Sequence, residues 1–138
     1  MNSKKADGYC LCGSIEYVVT GEPIWCGHCH CESCRRHTGG AVATFVAFTN
    51  ESFELVQGAL NTFESSPGVQ RSFCGKCGSP ISYQSKGIPD EIHLFLGSLA
   101  NPESYKPVSH VFCREKLPWL EIADDGERYD TLPRDETT

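Results

Sequence analysis

No stretch of this 138-residue chain approaches the roughly 20 apolar residues that cross a bilayer as a helix. Basic residues are also few: 12 Lys and Arg stand against 18 Asp and Glu, for a formal net charge of −6. Apart from Lys4-Lys5 and Arg35-Arg36 they are dispersed, and no aromatic–basic interleaving accompanies them. Such a surface repels a phosphate backbone, so neither a nucleic-acid nor a membrane partner is expected. Lys4 and Lys5 have no apolar stretch behind them, so no secretory signal is predicted and the expected compartment is the cytoplasm. Internal repeats are missing, and helical periodicity is scarce in a chain punctuated by eight prolines. The length fits one domain with one core. Residues 1–7 and 126–138 are polar and aperiodic and are predicted to be loose, leaving a domain over 8–125.

What the chain does contain is short β-type segments separated by Gly, Pro, Asn and Ser. Ser14 to Thr20 alternates, with Ile15, Tyr17 and Val19 on one side. Ala41 to Phe48, Phe53 to Val56, Leu60 to Phe63, Val69 to Phe73, Glu91 to Leu96 and Val108 to Phe112 are further strand candidates. One short helix is predicted from about Cys31 to His37, ended by Thr38-Gly39-Gly40. The fold class is mostly β, and its modest apolar content calls for help from metal.

Nine cysteines, at 10, 12, 26, 29, 31, 34, 74, 77 and 113, are the main excess. An odd number in a reducing compartment argues against a disulfide framework. Cys10-Leu11-Cys12-Gly13 and Cys74-Gly75-Lys76-Cys77-Gly78 form two paired-thiol knuckles, each followed by a glycine that lets amides approach the sulfurs. Facing each other, they supply a closed four-thiolate tetrahedron suited to structural zinc. The alternative is four buried thiols or two disulfides.

The second group is Cys26, Cys29, Cys31 and Cys34, within Trp25 to Gly40. If Cys26 joins the other three, the site is closed and structural; if not, one position stays open, as in catalytic zinc sites. Were residues 23–29 extended, Cys26 and Cys29 would point to opposite faces, which favours three ligands and an open site. Zinc with three thiolates is a weak Lewis acid, yet it favours the thiolate form of an incoming thiol. The extra negative charge needs an offset, and Arg35 and Arg36 follow the last ligand, with His28, His30 and His37 nearby.

Gly8-Tyr9-Cys10-Leu11-Cys12-Gly13, Cys29-His30-Cys31-Glu32-Ser33-Cys34-Arg35-Arg36 with Thr38-Gly39, and Phe73-Cys74-Gly75-Lys76-Cys77-Gly78-Ser79 together resemble the glutathione-dependent formaldehyde-activating (GFA) family, or CENP-V/GFA domain. Gly97 to Pro102, Pro107 with His110, and Lys116-Leu117-Pro118-Trp119 resemble its later motifs. Cys26 is additional to the family's three-cysteine motif, and Asn101 stands where its turn usually has an acidic residue. The resemblance implies a β-tent-like arrangement of small antiparallel sheets holding two Zn²⁺ per chain. It places a structural ion at Cys10, Cys12, Cys74 and Cys77 and a catalytic ion at Cys29, Cys31 and Cys34. It also implies a carbon–sulfur lyase resembling S-(hydroxymethyl)glutathione synthase, which adds a small thiol such as glutathione to formaldehyde or a related electrophile.

A rival reading from a different class is a non-catalytic zinc module that docks a protein partner through an exposed sheet edge or the cysteine-rich turn, which ligation by Cys26 would support. His110 is expected to be a buried structural histidine and Cys113 a small buried hydrophobe. Trp25, Trp119, Phe45 and Phe48 are expected in the core or, for one of them, lining a cleft.

Overall fold

A computed structural model describes residues 4–133. Strands β1 (Lys5–Tyr9), β2 (Glu16–Thr20) and β5 (Phe53–Gln57) form a three-stranded antiparallel sheet in the order β1-β2-β5. The larger sheet contains β3 (Trp25–Cys29), β4 (Ala43–Thr49), β6 (Leu60–Ser66), β7 (Val69–Cys74), β8 (Pro80–Ser85), β9 (Glu91–Phe95), β10 (Ser109–Val111) and β11 (Glu127–Arg128). Its order is β11-β10-β3-β4-β9-β8-β7-β6. Antiparallel pairing prevails; at one edge β10 runs parallel to both β3 and β11. One helix, α1 (Glu32–Thr38), follows β3 and ends at Gly39 in the left-handed conformation.

Period-two alternation decides which face of β2 is buried: Tyr17 and Val19 point inward, and the Tyr17 hydroxyl lies 2.6 Å from that of Ser98. Gly8 of β1 has to be glycine, because a Cβ there would fall inside the Tyr17 ring. Tyr17 and Val19 from the small sheet, with Ile15 just before β2, pack with Cys26, Val46, Phe48, Ile81, Ile92 and Leu94 from the large one, forming the main core between the two sheets. A second apolar cluster gathers Phe45, Phe95 and Val111 around Cys29 and Cys34 on the other face of the large sheet.

The chain is mostly β, as its punctuation predicts, with two differences at the ends. The amino-terminal segment expected to be loose holds β1 from Lys5 onward, because its backbone is fully paired with β2 from Lys5↔Thr20 to Tyr9↔Glu16. The carboxyl-terminal segment holds β11, and Tyr129 and Thr131 continue to bond the backbone of His110 and Phe112. Neither segment carries side-chain periodicity, because backbone hydrogen bonds hold both in place. Strand β8 escapes sequence reading for a similar reason, since it opens on Pro80 and mixes Ser, Tyr and Gln.

His93 on β9 is enclosed by Trp25, Phe45 and Tyr83, with Glu91 at 3.0 Å. Burial lowers its pKa below the ordinary histidine value, only partly opposed by Glu91. The fold therefore favours the neutral ring, and the unfolded chain takes up the proton first. His93 contributes stability that is fully present above about pH 6.5 and is lost as pH falls toward its folded-state value. Urea midpoints at pH 7.5 and 5.5 should differ less in His93→Gln than in the wild-type protein; an unchanged difference contradicts this assignment.

Candidate metal centres

The first cysteine cluster forms where two turns meet, one joining β1 to β2 and the other β7 to β8. Gly13 and Gly78 close the knuckles with φ of 82° and 81°, a conformation costly for other residues. The ligand atoms of Cys10, Cys12, Cys74 and Cys77 all lie within 4.8 Å of one another. Cys10 Sγ is 3.6 Å from Cys12 Sγ, and Cys12 Sγ is 3.8 Å from Cys74 Sγ. A tetrahedron with metal–sulfur bonds of about 2.3 Å has edges of about 3.8 Å, so this donor set fits a metal ion of zinc's size. The amide of Ile15 donates to Cys10 Sγ at 3.3 Å, and those of Lys76 and Cys77 donate to Cys74 Sγ at 3.3 and 3.4 Å. Ser79 holds the Cys77 thiol down to about 5, and Ser14 helps hold that of Cys74 down to about 7. Thiols so placed are ready to bind metal as thiolates.

The second cluster is local in sequence. Cys29 ends β3, Cys31 caps the amino end of α1, and Cys34 lies one turn into the helix. The Cys34 amide donates to Cys31 Sγ at 3.3 Å, which fixes the cap, and Cys34 Sγ is 3.7 Å from Cys29 Sγ. The three ligand atoms lie within 4.8 Å of one another. Cys29 and Cys34 are buried, whereas Cys31 is partly exposed. Contacts with Cys29 and Cys34 hold the Cys31 sulfur well below the ordinary thiol range, and contacts with Cys31 and Cys34 push Cys29 up. Cys26 is on the opposite face of β3, inside the main core, where burial pushes its thiol up to about 11. Among the described residues, this cluster contains three sulfurs and no fourth.

The arginines expected to offset the cluster's charge are engaged elsewhere. Arg35 donates to the carbonyls of His30 and Glu115 at 2.6 and 2.7 Å, and so clamps α1 to the segment after β10. Arg36 pairs with Glu32 at 2.7 Å on the surface. Arg71 of β7 is the cation that reaches a thiol: it is 4% exposed and donates to Cys34 Sγ at 3.5 Å and to Ser65 at 2.9 Å. Its guanidinium also stands over the Tyr83 ring at 5.1 Å. One signal for it was present in the sequence, because Arg71 shares strand parity with Val69 and Phe73.

His110 is buried at 2% exposure and is bonded at both ring nitrogens: Nδ1 faces His30 Nε2 at 3.0 Å, and Nε2 faces the Asp124 carboxylate at 3.0 and 3.2 Å. Burial, followed by the neighbouring His110 and His28, pushes His30 down to about 4. Cys113 is only partly buried and leans on the His110 carbonyl at 3.6 Å. Phe45 and Phe48 are core residues and Trp25 is half-buried, donating to Ser109 at 2.8 Å. Trp119 is not core: it is 70% exposed and lines an open groove of ≈ 490 Å³ with Leu117, Glu32, Arg35, Arg36 and Gly40.

Fold and site together define a mostly-β protein whose two cysteine clusters could hold metal ions. The sequence matches the glutathione-dependent formaldehyde-activating enzyme family over residues 5–115, and the chain belongs to that family. It is similar to a Rhodobacter sphaeroides protein of known crystal structure, with a TM-score of 0.63 and 25% identity over 76% of this chain and 99% of that one. None of the curated proteins matches the sequence. Among the described residues, no helix is long and apolar enough to cross a membrane.

Proposed function

We propose that this chain is a cytoplasmic carbon–sulfur lyase of the glutathione-dependent formaldehyde-activating type, with one zinc ion in each cysteine cluster. The supporting observation is the arrangement around Cys29, Cys31 and Cys34: three sulfurs converge, and Cys26 is turned into the core on the far side of β3. Zinc held by three thiolates would keep an incoming thiol deprotonated and nucleophilic at neutral pH. In the proposed reaction the thiol sulfur bonds the carbon of formaldehyde, the C=O π bond opens, and the thiol proton ends on the new hydroxyl.

The chain's own residues supply charge balance and seating. Arg71 places a permanent cation against Cys34, where the accumulated negative charge of several thiolates needs an offset. Partly exposed Cys31 leaves the approach open on its side of the cluster. Arg36, at the rim of the Trp119 groove, stands where a carboxylate of a small acidic thiol such as glutathione can be met. Ligation by Cys26 would have supported the rival docking-module reading, and Cys26 lies in the main core.

Exchange spectroscopy on glutathione–formaldehyde mixtures tests the reading. Zinc-loaded protein should speed formation of S-hydroxymethylglutathione above the spontaneous rate, and Cys26→Ala should retain that effect. A zinc-loaded protein that leaves the spontaneous rate unchanged rules the activity out.

A further inference from the structure

His28 of β3, His110 of β10 and Asp124 of the loop before β11 are brought together by strand pairing. β3 and β10 are parallel neighbours with His28 opposite His110, so both imidazoles project from one face, ring centroids 4.8 Å apart. The loop brings the Asp124 carboxylate over them, and one ligand atom from each residue lies within 4.8 Å of the other two.

Each of the three groups is held from behind. Thr44 Oγ1 meets Nδ1 of His28 at 2.8 Å, His30 Nε2 meets Nδ1 of His110 at 3.0 Å, and Arg128 donates to Oδ1 of Asp124 at 2.6 Å. Those contacts leave Nε2 of His28 without a part in them, while Nε2 of His110 and Oδ2 of Asp124 meet each other 3.0 Å apart. Two donors each about 2.1 Å from one ion stand roughly 3.0–3.4 Å apart, so the separation suits a shared cation. Outer hydrogen bonds that fix each ligand's orientation are what metal-binding histidines and carboxylates usually carry.

We propose that His28, His110 and Asp124 form a third cation site, separate from the cysteine clusters, which takes a borderline divalent ion such as Zn²⁺ through two imidazole nitrogens and one carboxylate oxygen. Imidazole with carboxylate suits that class of ion, whereas an all-thiolate set selects softer ones. The site adds a side-chain tie between β3, β10 and the loop before β11, beside the backbone pairing of β10 with β3 and the two-residue pairing of β11 with β10, Ser109↔Glu127 and His110↔Arg128. Just beyond it, Tyr129 and Leu132 pack on the cluster of Cys29 and Cys34. An ion at Asp124 therefore clasps the carboxyl-terminal segment down over the second cysteine group. Arg128 shares the same carboxylate and weakens its hold, so this ion should be the first lost to a chelator.

Elemental analysis of full-length protein loaded with Zn²⁺ and titrated with a competing chelator tests the site. The wild-type chain should carry one more ion than Asp124→Asn or His28→Gln, and that ion should leave first. Thr44→Val, which touches no ligand atom, should weaken the same ion by about tenfold. With Co²⁺ the extra ion should add visible absorption without thiolate charge-transfer bands. Equal counts in wild type and both variants overturn the proposal and leave a proton holding His110 to Asp124. So does an extra ion that survives both substitutions. Circular dichroism identifies a variant that fails to fold, in which case the order of ion loss and the Co²⁺ spectrum of the wild type decide.

Discussion

Cys10→Ser should have no cooperative unfolding transition and should lose the far-ultraviolet signature of the β-sheets. Cys10 is 1% exposed and belongs to the main core together with Cys74, so the first cluster is built into the packing between the two sheets. Its two turns belong to different sheets, one following β1 and the other β7. Ile15 bonds Cys10 twice, accepting from its amide at 3.1 Å and donating to its sulfur at 3.3 Å, so disturbance at this ligand passes directly into β2. Structural zinc contributes about 10–16 kcal/mol in small metal-dependent folds. A domain of this kind is stable by only about 5–15 kcal/mol in total. Losing the ion should therefore remove the fold, and exhaustive chelation of the wild-type protein should do the same. A Cys10→Ser protein with the wild-type urea midpoint would falsify the structural assignment.

Changes at the second cluster should separate from stability. Cys31→Ala is expected to abolish acceleration of S-hydroxymethylglutathione formation while leaving a cooperative unfolding transition, because Cys31 is partly exposed and sits at the helix cap. Arg71→Leu is expected to reduce the rate by about 10–100-fold, the usual range for removing an outer partner of a metal ligand. Arg71 is buried, so its loss also removes the contact with Ser65 and the packing on Tyr83. Arg71→Lys distinguishes charge from packing. It keeps a cation near Cys34 without the fork that spans Ser65 and Cys34, and it should recover part of the activity. Equal activity in Arg71→Leu and wild type, with both folded and metal-loaded, would remove Arg71 from the site.

The parts of this architecture written as local patterns were legible in the sequence. The helix Glu32–Thr38 follows from its glycine stop, and the opposite facing of Cys26 and Cys29 follows from period two along β3. Cysteine spacing brought out both clusters, since each knuckle is a tight turn that needs no distant information. What could not be read depends on strands far apart in sequence. Arg71 meets Cys34 only because β7 and α1 pack on one cluster from positions 37 residues apart. Asp124 meets His110, and His110 meets His28, only because β10 enters the sheet parallel beside β3. Adjacency to the cysteines in sequence pointed to Arg35 and Arg36, but a helical side chain next to a buried one points away from it, and these two face carbonyls and the surface.

The different spans of the two cysteine groups carry a consequence for biosynthesis. Cys29, Cys31 and Cys34 are complete within six residues, whereas the Cys10–Cys12 pair has to wait for Cys77 to be translated. The difference in loop length makes the longer closure about 2 kcal/mol less favourable. A nascent chain would therefore complete the second cluster early, while its amino-terminal thiols wait until more than half the polypeptide has been made. If the first cluster holds a structural ion as proposed, metal scarcity or a ribosomal stall in that interval would leave Cys10 and Cys12 open to oxidation, and metal supply during synthesis should limit the yield of folded protein.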